Sequence, residues 1–327
     1  MHLQAKNMLS NLITAYRQSV ALFTFVKLGV PFCLGAGKKL SLKELSVHCE
    51  LDEDRLSRLL DVMAELKIVR HERDLYSLAE GATALADANS IETLWIQCEL
   101  GEEYWSIWPY YASSMRKDSC KSAFEIKHGA SFFPHLKSSP ELKDIFDRLM
   151  AKITENLSSE IVRFIECNEH SEVVDVGGGK GILLRKLQQT YNLKSATVLD
   201  LYPEDSRTED GLYFMNADFF KPMITGKDIY IIKNIIHDWG DSHALSILTN
   251  IRNAMKEDSK LYVIEIIKTS ESKTGKTLDL LMDALFLGKE RFYHEYEQLA
   301  QTAGFTIEQT IQTSLPQSIM IWHKDKK

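Results

Sequence analysis

Three groups of residues in this 327-residue chain have the types and spacing to do chemistry. The first runs from Glu172 to Gly181. Val173, Val174, Asp175 and Val176 read as a buried strand that breaks into Gly177, Gly178, Gly179, Lys180 and Gly181. A helical pattern follows at Ile182, Leu183, Leu184 and Leu187, and a second strand, Ala196 to Leu199, ends in Asp200. Strand, glycine turn, helix, strand, acid is the order by which an open α/β sheet builds a nucleoside site. The second group is Asn216-Ala217-Asp218-Phe219-Phe220. Here Asp218 is read as ending the next strand, within reach of an adenine amino group, while Phe219 covers the ring. The third is Lys233-Asn-Ile-Ile-His237-Asp238-Trp239-Gly240-Asp241, which puts an ionisable His just past another strand on the same side of the sheet. A cofactor site and a candidate base therefore face one crevice.

The glycines narrow the ligand. Gly177, Gly179 and Gly181 form Gly-x-Gly-x-Gly, whereas a dinucleotide fingerprint places its third glycine one residue later to seat a pyrophosphate on the helix N-terminus. Asp175, at the end of the first strand, is unwelcome beside a pyrophosphate and suits a ligand that carries an ammonium and a sulfonium. Asp200 suits a ribose diol, because a carboxylate accepts both hydroxyl hydrogens.

The elements that must hold these residues fall into parts. Residues 1–100 read as short helices. Leu12 to Leu34 is apolar at helical spacing, Ser41-Leu-Lys-Glu44 is a capping box that opens a helix to about Cys49, and Asp52 to Leu66 shows an apolar face. Ile68 to Leu78 alternates as a hairpin around His71-Glu72-Arg73-Asp74, which completes a winged-helix pattern. Residues 101–160 form a helical linker rich in aromatics, with one long helix from about Lys143 to Glu166. Helix packing accounts for most of these rings, and Trp105, Phe133, Phe146 and Met150 are candidates to line a pocket for a flat apolar ligand. Residues 161–327 form the α/β domain, which closes on an antiparallel strand, Ser318 to Trp322.

Composition sets limits. The net charge of -7, and the acids Asp52, Glu53 and Asp54 on the probable second helix of the wing, oppose nucleic-acid binding. Five scattered cysteines without a Cys-x-x-Cys pair oppose a disulfide framework or zinc cluster and fit a reducing, cytoplasmic setting. No apolar run is long enough to cross a bilayer.

Taken together, these residues resemble the metal-independent small-molecule O-methyltransferases that use S-adenosylmethionine, the plant caffeate-type enzymes and their bacterial secondary-metabolite relatives. The resemblance rests on Val174 to Gly181, Asp200-Leu201, Asp218 to Phe220, His237 to Asp241, Gly288-Lys289-Glu290-Arg291 and Ala303-Gly304-Phe305. It implies a Rossmann-type class I methyltransferase domain behind a winged-helix-like dimerisation domain, and a homodimer. It also implies Gly177 and Gly179 at the methionine part of the cofactor, Asp200 at the ribose, Asp218 and Phe219 at the adenine, and Lys233 alongside. His237 is then the general base, with Glu265 and Glu290 on either side. The acceptor is a hydroxyl of an aromatic or polyketide-like metabolite, and no metal takes part.

The chemistry is coherent from the residues upward. Transfer from a sulfonium is a direct displacement, so the protein supplies alignment and a deprotonated acceptor. Glu265, read as ending the strand Leu261 to Ile264, is placed to fix the tautomer of His237 and to stabilise imidazolium. Asp241 or Ser242 reads as the N-cap of a helix from Ala244 to Met255.

The chain departs from the family in two places. Tyr202 to Gly211 reads as a loop where a helix is usual. In Leu281 to Gly288, Asp283 replaces an apolar residue and Leu287 a glycine. Met282, Asp283 and Phe286 complete the candidate pocket, with Asp283 either solvent-facing or a buried acid that would favour an amine acceptor. N-methylation, non-methylating chemistry such as decarboxylation, hydroxylation or pericyclic closure, and regulation through DNA are the rival readings.

Overall fold

The computed structural model describes residues 2–35, 37–201, 205–271 and 273–325. The chain forms two compact units, one from Met1–Ser106 with Ser139–Lys152, the other from Ile107–Ser138 with Ile153–Lys327.

The first unit opens with α1 (His2–Lys27) and α2 (Val30–Leu34). The apolar run from Leu12 to Leu34 is thus two helices rather than one. Gly29 takes φ +73°, which favours glycine, and Pro31 starts the new helix in its first turn. A short β1 (Leu40–Ser41) leads into α3 (Leu42–His48). The expected capping box is present: Glu44 N donates to Ser41 Oγ at 3.3 Å and Ser41 N donates to Glu44 Oε2 at 2.7 Å. Asp52 caps α4 (Glu53–Glu65), which buries Leu56, Leu60 and Met63 at helical spacing. A hairpin of β2 (Val69–Glu72) and β3 (Leu75–Leu78) follows, and its turn residues Arg73 and Asp74 both have positive φ. These elements close over Phe25, Val30, Leu34, Leu45 and Tyr76. Helices α5 (Ile91–Glu99) and α6 (Glu102–Trp105) come next.

The second unit begins with α7 (Trp108–Ser114), α8 (Ala123–His128) and α9 (Phe132–Ser138). The long helix α10 (Pro140–Ile161) runs from one unit into the other. It starts before the expected Lys143 because proline suits a first turn, and it ends before Glu166 in a 3₁₀ turn, Val162–Phe164. The sheet is then laid down by β4 (Glu172–Val176), α11 (Ile182–Tyr191), β5 (Ser195–Asp200), β6 (Arg207–Glu209), β7 (Leu212–Asn216) and β8 (Ile229–Lys233). It is completed by α12 (Asp241–Ala254), β9 (Lys260–Lys268), α13 (Lys273–Phe286), β10 (Arg291–Phe292), α14 (Tyr293–Ala303), β11 (Phe305–Gln312) and β12 (Gln317–Lys324).

Its order is β11-β12-β9-β8-β4-β5-β7-β6, with β10 beside β9. Strands β4, β5, β7, β8 and β9 run parallel, while β12 is antiparallel to both β9 and β11. Strand β8 is apolar up to its last residue, Lys233, because sheet neighbours and helices bury both its faces. The chain leaves β4 toward β5 and β7, then returns to β8 on the other side of β4. That reversal opens a crevice at the carboxyl ends of β4 and β8.

Several boundaries differ from expectation. Asp218 lies two residues past the end of β7, in a turn of its own. Glu265 is interior to β9, which runs on to Lys268 because β10 and β12 pair with its last residues. Helix α12 starts at Asp241 with Gly240 as N-cap and no side-chain cap, since the Asp241 carboxylate is taken by Arg291. Of the expected loop, Arg207–Glu209 is a strand paired with β7; Tyr202, Pro203 and Glu204 lie outside the described residues.

The glycine turn after β4 is sterically closed at its last residue. Gly181 has φ +69°, and a Cβ there would lie 2.9 Å from Val198 and 3.1 Å from Phe214. Gly181→Ala is expected to destabilise the protein by about 2 kcal/mol, from overpacking and left-handed backbone together. Urea unfolding that leaves the midpoint in place would refute this.

Candidate active site

The parallel strands deliver their polar residues to one edge. Asp175 lies one residue before the end of β4, and Asp200 ends β5, where its Oδ2 accepts the Gly179 N–H at 2.9 Å. Lys233 ends β8. Burial pushes the Asp175 carboxyl up to about 7, with Lys233 drawing it down and Asp200 adding to the rise. Burial likewise lowers the Lys233 ammonium, against Asp175 and Glu265, which hold it up.

The glycines divide the work. A Cβ at Gly177 would meet Ile235 at 2.6 Å, and one at Gly178 would meet the Asp175 carboxyl at 2.7 Å. Gly179, at φ +54°, has nothing within 4 Å of that position. Two glycines pack, and Gly179 leaves open space in front of Asp200. Phe219 lies beside Gly177 and packs edge-on to Trp239, at 6.1 Å between ring centroids. Asp218 spends Oδ1 on the Phe220 N–H at 2.9 Å. This donor set, carboxylates at Asp175 and Asp200, an apolar ring at Phe219 and room at Gly179, fits a cationic nucleoside.

His237 sits beyond β8. Asn234 turns the chain at φ +52°, and Ile236–Asp238 forms a 3₁₀ turn. Glu265 is fully buried, and its Oε1 accepts the N–H groups of Ile235 at 3.0 Å and Ile236 at 2.8 Å. His237 Nδ1 lies 2.8 Å from Oε1 of Glu290, also fully buried, and 3.6 Å from Glu265 Oε2. On the other side of the ring, Nε2 is 3.5 Å from Asp238 Oδ1. Glu265 Oε2 and Glu290 Oε2 are buried and take no hydrogen bond from the described residues.

Burial works against a charged His237 ring. Glu265, Asp238 and Glu290 outweigh it and hold the imidazole up at about 10. Burial pushes Asp238 up to about 7, although His237 draws it down, and it raises Glu265 as well.

The segment Gly288–Arg291 supports this ring. A Cβ at Gly288 would overlap the His237 carbonyl oxygen, and Lys289 N donates to that same oxygen at 2.7 Å. Glu290 holds the ring, and Arg291 binds the surrounding loop.

Residues 108–306 match the O-methyltransferase domain family, and residues 10–88 match the O-methyltransferase dimerisation domain. The chain belongs to the O-methyltransferase family. It is 26% identical to the mitomycin biosynthesis 6-O-methyltransferase of Streptomyces lavendulae, over 94% of this chain and 91% of that protein. It is also 26% identical to the phenazine O-methyltransferase PhzM of Lysobacter antibioticus, over 96% and 95%. Among solved structures, the mitomycin 7-O-methyltransferase MmcR shares the fold at a TM-score of 0.88, 24% identity and 99% and 98% coverage. The neocarzinostatin-pathway O-methyltransferase NcsB1, solved with S-adenosylmethionine and 2-hydroxy-5-methyl naphthoic acid, matches at a TM-score of 0.78, with 26% identity over 94% and 95% of the chains. The chain is an S-adenosylmethionine-dependent O-methyltransferase with a Rossmann-type catalytic domain and an N-terminal dimerisation domain.

The candidate pocket residues divide between the two units. Trp105 ends α6, and Phe146 and Met150 lie on α10, all in the first unit. In the second unit, Phe286 stacks on Phe133 at 5.6 Å and 18°, with Met282 buried one turn earlier on α13. Asp283 is neither solvent-facing nor an isolated buried acid. It is half-buried, and its Oδ2 accepts the Tyr111 hydroxyl at 2.7 Å, because α7 packs against α13. It lines an open cavity of about 390 Å³ with Tyr111, Gly240 and Gly288. His237, Glu265 and Glu290 are not among the residues that line it. Leu287 adopts φ +57°, the conformation for which glycine was expected, and so ends α13.

Sequence reasoning missed Asp238 as a third carboxylate on His237 and gave Arg291 no role. Adjacency to His237 was a signal for the first; nothing local signals the second.

His237's folded value lies above its unfolded one. The stability it contributes is fully present below about pH 6.5 and is lost as pH rises through about 10. Glu290→Gln removes one of the carboxylates that raise it. Ring titration followed by NMR is expected to show a lower midpoint in Glu290→Gln than in the wild type; an equal or higher midpoint would contradict the pairing.

Proposed function

We propose that the chain methylates a phenolic hydroxyl of an aromatic or polyketide-like secondary metabolite, with His237 taking the phenol's proton. The observation that carries this reading is the 2.8 Å pairing of His237 Nδ1 with the buried Glu290. That bond commits Nδ1 as the donor and leaves Nε2 as the basic nitrogen. Nε2 has no hydrogen bond to Asp238, whose nearer oxygen is 3.5 Å away.

The bound S-adenosylmethionine supplies an electrophilic methyl on a sulfonium. Asp200 would hold the ribose hydroxyls, Phe219 would cover the adenine with Asp218 at its edge, and Asp175, Gly177, Gly179 and Lys233 would surround the methionine end. His237 would accept the hydroxyl proton at Nε2, and Glu290, Glu265 and Asp238 would stabilise the resulting imidazolium. The same carboxylates hold the imidazole above its ordinary value, so the neutral ring that can accept a phenol's proton is increasingly available as pH rises. Phe133, Met282 and Phe286 offer a flat apolar wall for such a ring. The bond between Asp283 and Tyr111 withdraws the carboxylate that would have favoured an amine acceptor.

The working form is a homodimer. Leu9, Ile13, Tyr16 and Val20 form a solvent-exposed apolar stripe on α1, inside or beside the matched dimerisation segment, and such a stripe calls for a partner surface.

His237→Ala is expected to lose roughly 10²-fold or more in turnover of phenols while binding S-adenosylhomocysteine as the wild type does. Retained turnover would remove the base assignment. Ile13→Asp is expected to sediment as a monomer, and an unchanged dimer would exclude α1 from the interface.

A further inference from the structure

Arg291 is fully buried, yet among the described residues its side chain makes no bond to any strand of the parallel sheet. Its Nη1 donates to the carbonyls of Ile236 at 3.0 Å and Lys289 at 3.1 Å. Its Nη2 donates to the Trp239 carbonyl at 2.8 Å and to Asp241 Oδ1 at 2.8 Å, and Nε donates to the same oxygen at 3.0 Å. All five donors of the guanidinium are used.

The choice of partners is informative. Ile236 precedes His237 in the chain, and Lys289 precedes Glu290. A single nitrogen therefore ties the peptide that carries the base to the peptide that carries its carboxylate. The Trp239 carbonyl secures the far side of the same loop. The loop needs such a tie, since its own backbone includes Asn234 at positive φ and only a single 3₁₀ turn around His237. Asp241, with its side chain 57% exposed, supplies the counter-charge from the surface end.

We infer that Arg291 is a positioning residue for the methyl transfer, which fixes the His237 ring on Glu290 by binding the main chain on both sides of that pair. This rests on His237 being the base. Lysine would not replace it, since an ammonium lacks the planar fork that spans three carbonyls and a carboxylate.

The test is a double-mutant cycle on the single-turnover rate of methyl transfer to a phenol, with S-adenosylhomocysteine binding measured in parallel. Arg291→Met and Arg291→Lys are each expected to slow transfer roughly 10- to 100-fold with unchanged ligand affinity. In a His237→Ala background the same changes are expected to cost nothing further, because the residue they position is gone. Asp241→Asn, a surface change, is expected to give a smaller loss with the same non-additivity, and it serves if the Arg291 variants fail to fold. Losses that add in full to that of His237→Ala, or no loss in a folded variant, would overturn the inference. An unchanged rate in His237→Ala alone would instead sink the base assignment.

Discussion

The charge buried around His237 is the constraint on which this edge of the sheet depends. Glu265 and Glu290 are fully buried, and Asp238 nearly so, each at a cost unless its charge is met. Glu265 is met by two backbone N–H groups, which fixes the peptides of Ile235 and Ile236. Glu290 is met by His237, which fixes the ring. Neither carboxylate can be satisfied unless the chain after β8 turns sharply at Asn234, so the loop's path follows from the acids it must serve. The loop does not hold the acids; they hold the loop.

The sheet determines why this cluster and the cofactor crevice share an edge. Strand β9 outruns β8 because β10 and β12 extend its pairing, and the extension carries Glu265 to the level of the turn that bears His237. Residues Asp175 and Lys233 reach the same edge from the neighbouring strands. Signs then alternate along the edge, from Asp175 to Lys233 to Glu265 to His237 to Glu290. Each of the inner groups is bounded by opposite charge, which is how a row of ionisable residues tolerates burial.

Much of this was legible in the sequence, for definite reasons. The Val173 to Gly181 pattern reads correctly because a doubly buried strand and a tight glycine turn each leave a local signature. The Ser41 capping box and the hairpin at Arg73-Asp74 are local too. The misreadings share one cause, which is that the deciding partner lies far along the chain. Asp241 resembles an N-cap until Arg291 claims it, fifty residues on. Asp283 resembles a surface or amine-binding acid until Tyr111 donates to it. The continuation of β9 past Ile264 is decided by β10 and β12, not by its own residues.

Two non-glycine residues in left-handed backbone precede the His237 loop and the segment that supports it, Asn234 before the loop and Leu287 before Gly288-Lys289-Glu290-Arg291. Asparagine accepts this conformation at modest cost, whereas leucine at φ +57° is strained. The strain at Leu287 survives because the next four residues are over-determined. Gly288 is pressed on the His237 carbonyl with no room for a side chain, Lys289 donates to that carbonyl, and Arg291 uses every donor it has. A segment held at so many points can impose an unfavourable dihedral on the residue before it. Relieving it would require letting go of the His237 loop, so the strained residue and the ordered imidazole are two consequences of the same set of bonds.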